Sequence, residues 1–245
     1  MRYLRLAAAA TMASVMLSGL SSAAFGHAIW FAERHGKTGV VYGHGGTDES
    51  YDPAKLKSVA ARKADGTATE ATIEIKDDHA MVELAKDAAI VTGFFDNGFW
   101  SKGADGKWVN EPKSKVPGAT EAGQYVKYAT AIIKPLDKAP EPQGLALEIV
   151  AQSDPLALKA GDNLVIQVLA NGKPVEGAEV TGEYTTASEQ PKLKTDAEGK
   201  VTLKVRNQGL NVITASHTEK TPGNPDGDEI GHTAALSFTL GHGEE

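Results

Sequence analysis

The feature that most limits what this chain can fold into is its punctuation. Short apolar runs, several with a two-residue period, are each closed by glycine, proline or an Asp/Asn turn, and nowhere does a long 3.6-residue period appear between convincing helix caps. Ile73 and Ile75 alternate with Thr72 and Glu74, and Val201, Leu203 and Val205 alternate with Thr202 and Lys204. That alternation sends one set inward and the other to solvent, as a half-buried strand requires. Residues 27–31, 40–42, 58–63, 71–76, 80–84 and 88–95 read as strands, with turns at Gly36-Lys37, Asp65-Gly66 and Lys76-Asp77-Asp78. Asp96-Asn97-Gly98 is a strong tight-turn signal and is expected to end the strand before it. Residues 125–133 would fit an amphipathic helix, but their Val, Tyr, Thr and Ile content favours a strand.

Pro135, Pro140 and Pro142 mark a boundary. Beyond it, runs at 145–150, 163–170, 179–184, 192–195, 201–205, 211–216 and 233–240 give seven short strands in about a hundred residues, the requirement of an immunoglobulin-like sandwich. The expected fold is all-β, with two β-sandwich (Ig-like) domains at 27–139 and 140–245.

Residues 1–26 read as a cleaved secretory signal. Arg2 and Arg5 supply its positive start, and the apolar run from Leu6 to Leu17 is too short to span a bilayer. Small residues allow cleavage before Phe25 or before His27. The second cut leaves 219 of the 245 residues, and loss of the two arginines takes the net charge from −7 to −9. A periplasmic chain of this acidity is not expected to bind nucleic acid, and it has no later apolar run for direct membrane insertion. With no cysteine, and only Met81 left of four methionines, thiolate chemistry and soft Cu(I) clusters are excluded. All seven histidines survive the cut.

Several separated motifs then carry a resemblance. Gly26-His27-Ala28-Ile29-Trp30, Gly43-His44, Phe95-Asp96-Asn97-Gly98-Phe99-Trp100, Leu147-Glu148-Ile149-Val150, residues 154–162 and Gly209-Leu210-Asn211-Val212-Ile213 occur in order. Together they resemble a bacterial family of exported proteins of unknown function, often labelled NikM-like or nickel-uptake periplasmic proteins. The resemblance implies a mature chain that begins with histidine followed closely by an aromatic, which favours cleavage before His27. It also implies nickel or cobalt as cargo, and an uptake transporter or outer-membrane receptor as partner. The stretches 171–178 and 195–201 are similar to exported Ig-like and transthyretin-like modules, which bears on fold alone.

The candidate metal ligands are His27, His44 and His217. An N-terminal His27 offers its α-amine and imidazole as a chelate. His44 lies between glycines that permit close backbone approach. His217 ends a strand, and a hairpin of 211–217 with 232–240 would set it opposite His232. Nitrogen ligands without sulfur suit Ni²⁺, Co²⁺, Zn²⁺ or Cu²⁺, with binding weakened below about pH 6 as the imidazoles protonate. His35, His79 and His242 are expected at the surface, and the acidic groups Asp48/Glu49/Asp52 and Asp226/Asp228/Glu229 as solvated loops. Trp100 and Trp108 are expected to fill a sandwich core. The function expected is periplasmic divalent-metal binding in support of uptake, without catalysis. The alternatives are an Ig-like protein-interaction module and a copper enzyme with a histidine brace.

Overall fold

The computed structural model describes residues 26–34 and 36–241. Most of the expected signal segment, His35 and His242 lie outside the described residues. In chain order the strands are β1 (Ala28–Arg34), β2 (Lys37–Gly43), β3 (Leu56–Arg62), β4 (Ala68–Thr69), β5 (Ala71–Ile75), β6 (Ala80–Leu84), β7 (Ile90–Lys102), β8 (Trp108–Val109) and β9 (Glu121–Ile132). They continue as β10 (Leu147–Ala151), β11 (Asn163–Ala170), β12 (Lys173–Pro174), β13 (Glu179–Thr181), β14 (Leu193–Lys194), β15 (Lys200–Lys204), β16 (Leu210–Lys220) and β17 (Glu229–Thr239). One helical turn, α1 (Tyr184–Ala187), follows β13. The all-β expectation therefore holds. No helix among the described residues is long and apolar enough to cross a membrane.

A nine-stranded sheet forms the middle of the molecule, in the order β14-β13-β16-β17-β9-β7-β3-β4, with β8 added to β7. The two halves expected on either side of residue 139 share this sheet, because β17 pairs in parallel with β9. A four-stranded sheet, β1-β2-β6-β5, covers one face, and a sheet of β10, β11, β12 and β15 covers the other. The sequence of β9 reflects this. Ala129 and Ala131 pack with Phe31, Val40 and Phe95 on the first face, while Tyr128 and Ile132 pack with Leu147, Ile166 and Phe238 on the second. A strand buried on both faces loses the apolar/polar alternation, which is why this stretch also fits a helical spacing.

Two readings of strand ends need correction, besides the run 179–184, which is strand only to Thr181 before α1 opens at Tyr184. Asp96-Asn97-Gly98 does not end its strand. β7 runs through it, and pairing with β9 shifts register between Asp96 and Phe99, so the three residues form a β-bulge. Gly98 has φ +77°, a conformation that serves a bulge as well as a turn. The second concerns the strand expected to end at His217. The β16–β17 ladder extends to Lys220 paired with Glu229, which leaves only the residues between them as the hairpin loop.

Candidate functional site

The β1–β2 hairpin builds the site through its register. Ala28 pairs with Gly43 and Arg34 with Lys37, so the next step of the same ladder sets His27 opposite His44. Their ring centroids are 6.3 Å apart. A ring-bound ion lies about 2.0–2.1 Å from the imidazole nitrogen and so roughly 3.2 Å from the ring centre. Two rings on opposite sides of one ion are then about 6.4 Å apart, close to the spacing seen.

His27 caps an aromatic stack. Its ring lies 5.0 Å from Tyr42 at an interplanar angle of 12°, and Tyr42 stacks in turn on Phe95. Nε2 of His27 lies 3.2 and 3.1 Å from the two carboxylate oxygens of Glu49. A proton held on Nε2 by that carboxylate leaves Nδ1, the nitrogen nearer the backbone, with its lone pair free. Below the stack, Lys127 donates to the backbone carbonyl of His27 and sits 5.9 Å from the centre of the Tyr42 ring. Lys127 is fully buried, and desolvation pulls its pKa down to about 7.

The His44 loop is shaped by its glycines. A Cβ on Gly43 would lie 2.2 Å from the carbonyl oxygen of Thr47, and Gly45 has φ +59°. The loop can therefore fold back until the Glu49 amide donates to the Tyr42 carbonyl at 2.8 Å, which delivers the Glu49 side chain to His27. The His44 amide donates to the Thr47 hydroxyl at 2.8 Å. Nδ1 of His44 donates to the Gly26 carbonyl oxygen at 2.7 Å. The hydroxyl of Tyr184 converges on the same oxygen, lies 3.1 Å from the Gly43 carbonyl oxygen and 3.5 Å from His44 Nδ1. Burial raises the pKa of Tyr184, so the phenol stays protonated. On the outer side, His44 Nε2 lies 3.6 Å from Glu189.

His217 is not part of this group. Lys127 and Ser237 reach the backbone of His27 and Phe31, which fixes one face of the central sheet toward β1. On β16 and β17 the residues on the opposite face are Ile213, Ala215, Ala234 and Leu236, and the two-residue period adds His217 and His232 to them. His217 and His232 are paired across the strands, as the expected hairpin requires. His27 and His44 therefore share one face, and His217 belongs to the other.

Of the remaining candidates, His79 is exposed beside Asp78 at 2.7 Å. Asp48 pairs with Arg34 and Asp52 caps a short turn at Pro53–Lys55, while Asp228 pairs with Lys113. Trp100 and Trp108 are half-buried rather than core residues, and Trp100 donates to the Asn97 carbonyl at 3.2 Å. Sequence reasoning missed Glu49, Tyr184 and Lys127. Counting outward from a two-residue connection between 34 and 37 would have paired His27 with His44, but Tyr184 and Lys127 arrive from distant strands with no local signal. Among the described residues, no three His, Asp or Glu side chains gather closely enough to hold an ion.

Residues 24–219 match a family described as a domain of unknown function, DUF4198. The chain belongs to this family. The chain is also similar to an uncharacterized protein of Haemophilus influenzae, 32% identical over 219 residues that span 89% of this chain and 92% of that protein. No solved structure matches. The DUF4198 match takes in His27, His44, Glu49, Lys127, Tyr184 and His217, and ends before His232.

Proposed function

We propose that this DUF4198 protein is a periplasmic carrier of a divalent transition metal, held at its processed N-terminus by the His27 amine, the His27 imidazole and His44. The observation that carries the reading is the convergence of His44 Nδ1 and the Tyr184 hydroxyl on the Gly26 carbonyl, the atom group next to the His27 nitrogen. Signal cleavage before His27 removes that carbonyl. It leaves an α-amine facing the imidazole and the phenol that had bonded it. The donor set fits a metal, with the amine supplying the third nitrogen that the side chains alone lack, and Glu49 fixing the His27 tautomer from behind.

Two imidazoles on opposite sides of an ion, an amine between them and a phenol nearby favour tetragonal ions, Ni²⁺ or Cu²⁺, over tetrahedral Zn²⁺. The NikM-like resemblance favours nickel or cobalt, and with it delivery to an uptake transporter or outer-membrane receptor. The strand spacing beyond residue 140 and the likeness of residues 171–178 and 195–201 to exported Ig-like modules support reading the C-terminal half as an Ig-like sandwich. The deciding experiment is titration of Ni²⁺, Co²⁺, Zn²⁺ and Cu²⁺ into chain starting at His27, with a second chain that keeps Gly26 in front of it. One-to-one binding that the extra residue weakens at least tenfold supports the chelate. Absence of binding in both refutes it.

A further inference from the structure

We infer that His217 and His232 form a second divalent-metal site, of Zn²⁺ type, on the opposite face of the central sheet from His27. The two residues are an in-register cross-strand pair, so their side chains leave the same face of the sheet side by side. Their ring centroids are 6.3 Å apart at an interplanar angle of 36°. A tetrahedral ion asks for about 5 Å between two bound rings, given metal–nitrogen distances of roughly 2.0–2.1 Å. Closing the gap of about 1 Å takes rotation about side-chain bonds only.

The pair is built as a site in three further respects. His232 is held from behind, its ring stacked on Tyr128 at 6.0 Å and 9° and its Nδ1 3.3 Å from the Tyr128 hydroxyl. When Nδ1–H donates to that oxygen, Nε2 carries the lone pair, the orientation that outer-shell partners commonly impose on ligating histidines. The Glu219 carboxylate lies 3.9 Å from that Nε2. Glu219 is exposed and on the same face of β16 as His217, so it can swing in as a third ligand. Finally, the His232 side chain is only 11% exposed. Two imidazoles, one carboxylate and a water make a ligand set suited to Zn²⁺. With a layer of sheet between them, the two centres cannot share an ion. This inference does not rest on the N-terminal chelate.

The test is Zn²⁺ titration of the His27-first chain by calorimetry, with imidazole resonances followed by NMR, in the parent, His217→Ala, His232→Gln, His44→Ala and the His44→Ala/His217→Ala double variant. His217 is half-exposed, so its variant folds even if the buried His232 variant does not. The expected result is that His217→Ala weakens one Zn²⁺ equivalent at least tenfold, in the parent and in the His44→Ala background alike. Unchanged stoichiometry and affinity in both backgrounds would overturn the site. If His44→Ala changes nothing while His217→Ala abolishes binding, this site stands and the N-terminal carrier reading falls.

Discussion

Lys127 on the central strand β9 donates its side-chain hydrogen bond to the backbone carbonyl of His27, and it does so from a fully buried position. A lysine that reaches across from one sheet to the residue just before another anchors that residue by a side-chain bond. Burial also makes it a proton-linked element of the fold. Its pKa falls from the ordinary lysine value to about 7. Between about pH 7 and 10.5 the unfolded chain holds a proton that the folded chain has released, so stability from this group rises with pH, by up to about 1.4 kcal/mol per unit. Below pH 7 both states are protonated and the burial penalty is fully present. Lys127→Met should remove the slope. Urea unfolding of parent and variant at pH 6, 8 and 10 should show the difference in stability moving in the parent's favour as pH rises. A constant difference would show that Lys127 keeps its proton inside the fold.

Tyr51 joins two strands with one hydroxyl. It donates to the Val40 carbonyl at 2.8 Å and accepts from the Ala80 amide at 2.9 Å, at the point where β2 and β6 pair. Tyr51→Phe leaves both backbone groups buried without that partner, which costs about 1–3 kcal/mol. The loss should appear as a lower midpoint in chemical unfolding with an unchanged m-value. A change below the measurement error would mean that water replaces the hydroxyl.

Gly43 is where the His44 loop crosses itself. Alanine there would drive a methyl group into the Thr47 carbonyl at 2.2 Å. Overpacking of this kind costs about 1–3 kcal/mol. It must also move His44, because Thr47 holds the His44 amide. Gly43→Ala is expected to lower the melting temperature and, on the carrier reading, to weaken metal binding. Ala at the open position Gly36 would not supply the same clash, though its positive φ makes it a backbone-strain control.

Glu49 supports His27 without touching the fold's interior. Glu49→Gln keeps the shape of the side chain and removes its charge, so unfolding should shift by less than about 0.5 kcal/mol, as for other surface changes. Outer-shell partners of this kind are worth about 10–100-fold in metal affinity. On the carrier reading, isothermal titration with Ni²⁺ and Cu²⁺ is expected to show that loss. Affinity equal to the parent's would place Glu49 outside the metal's second layer.

How much of this was legible in the sequence follows from the range over which each signal acts. The alternation at Ile73 and Ile75 is local, and β5 forms where it predicts, but Ile75, expected inward, is 58% exposed. The His217–His232 pairing was also readable, since two strands joined by one loop have few registers. Asp96-Asn97-Gly98 misled because a glycine at positive φ is equally at home in a hairpin and in a bulge. What decides between them is whether Phe99 onward finds a partner, and it finds Gln124 on β9. The division of histidines between faces needed the parallel β9–β17 pairing, which joins residues about a hundred apart and leaves no mark on either strand alone.

The placement of β17 has a consequence for how the molecule comes into being. The last strand among the described residues lies in the interior of the sheet, between β16, its hairpin partner, and β9, which was made more than ninety residues earlier. A chain delivered N-terminus first, from a ribosome or through a translocation pore, cannot close its largest sheet until residues 229–239 have arrived. Contacts that distant along the sequence form slowly. β17 therefore acts as a latch: the nine-stranded sheet is complete only when this strand is in place.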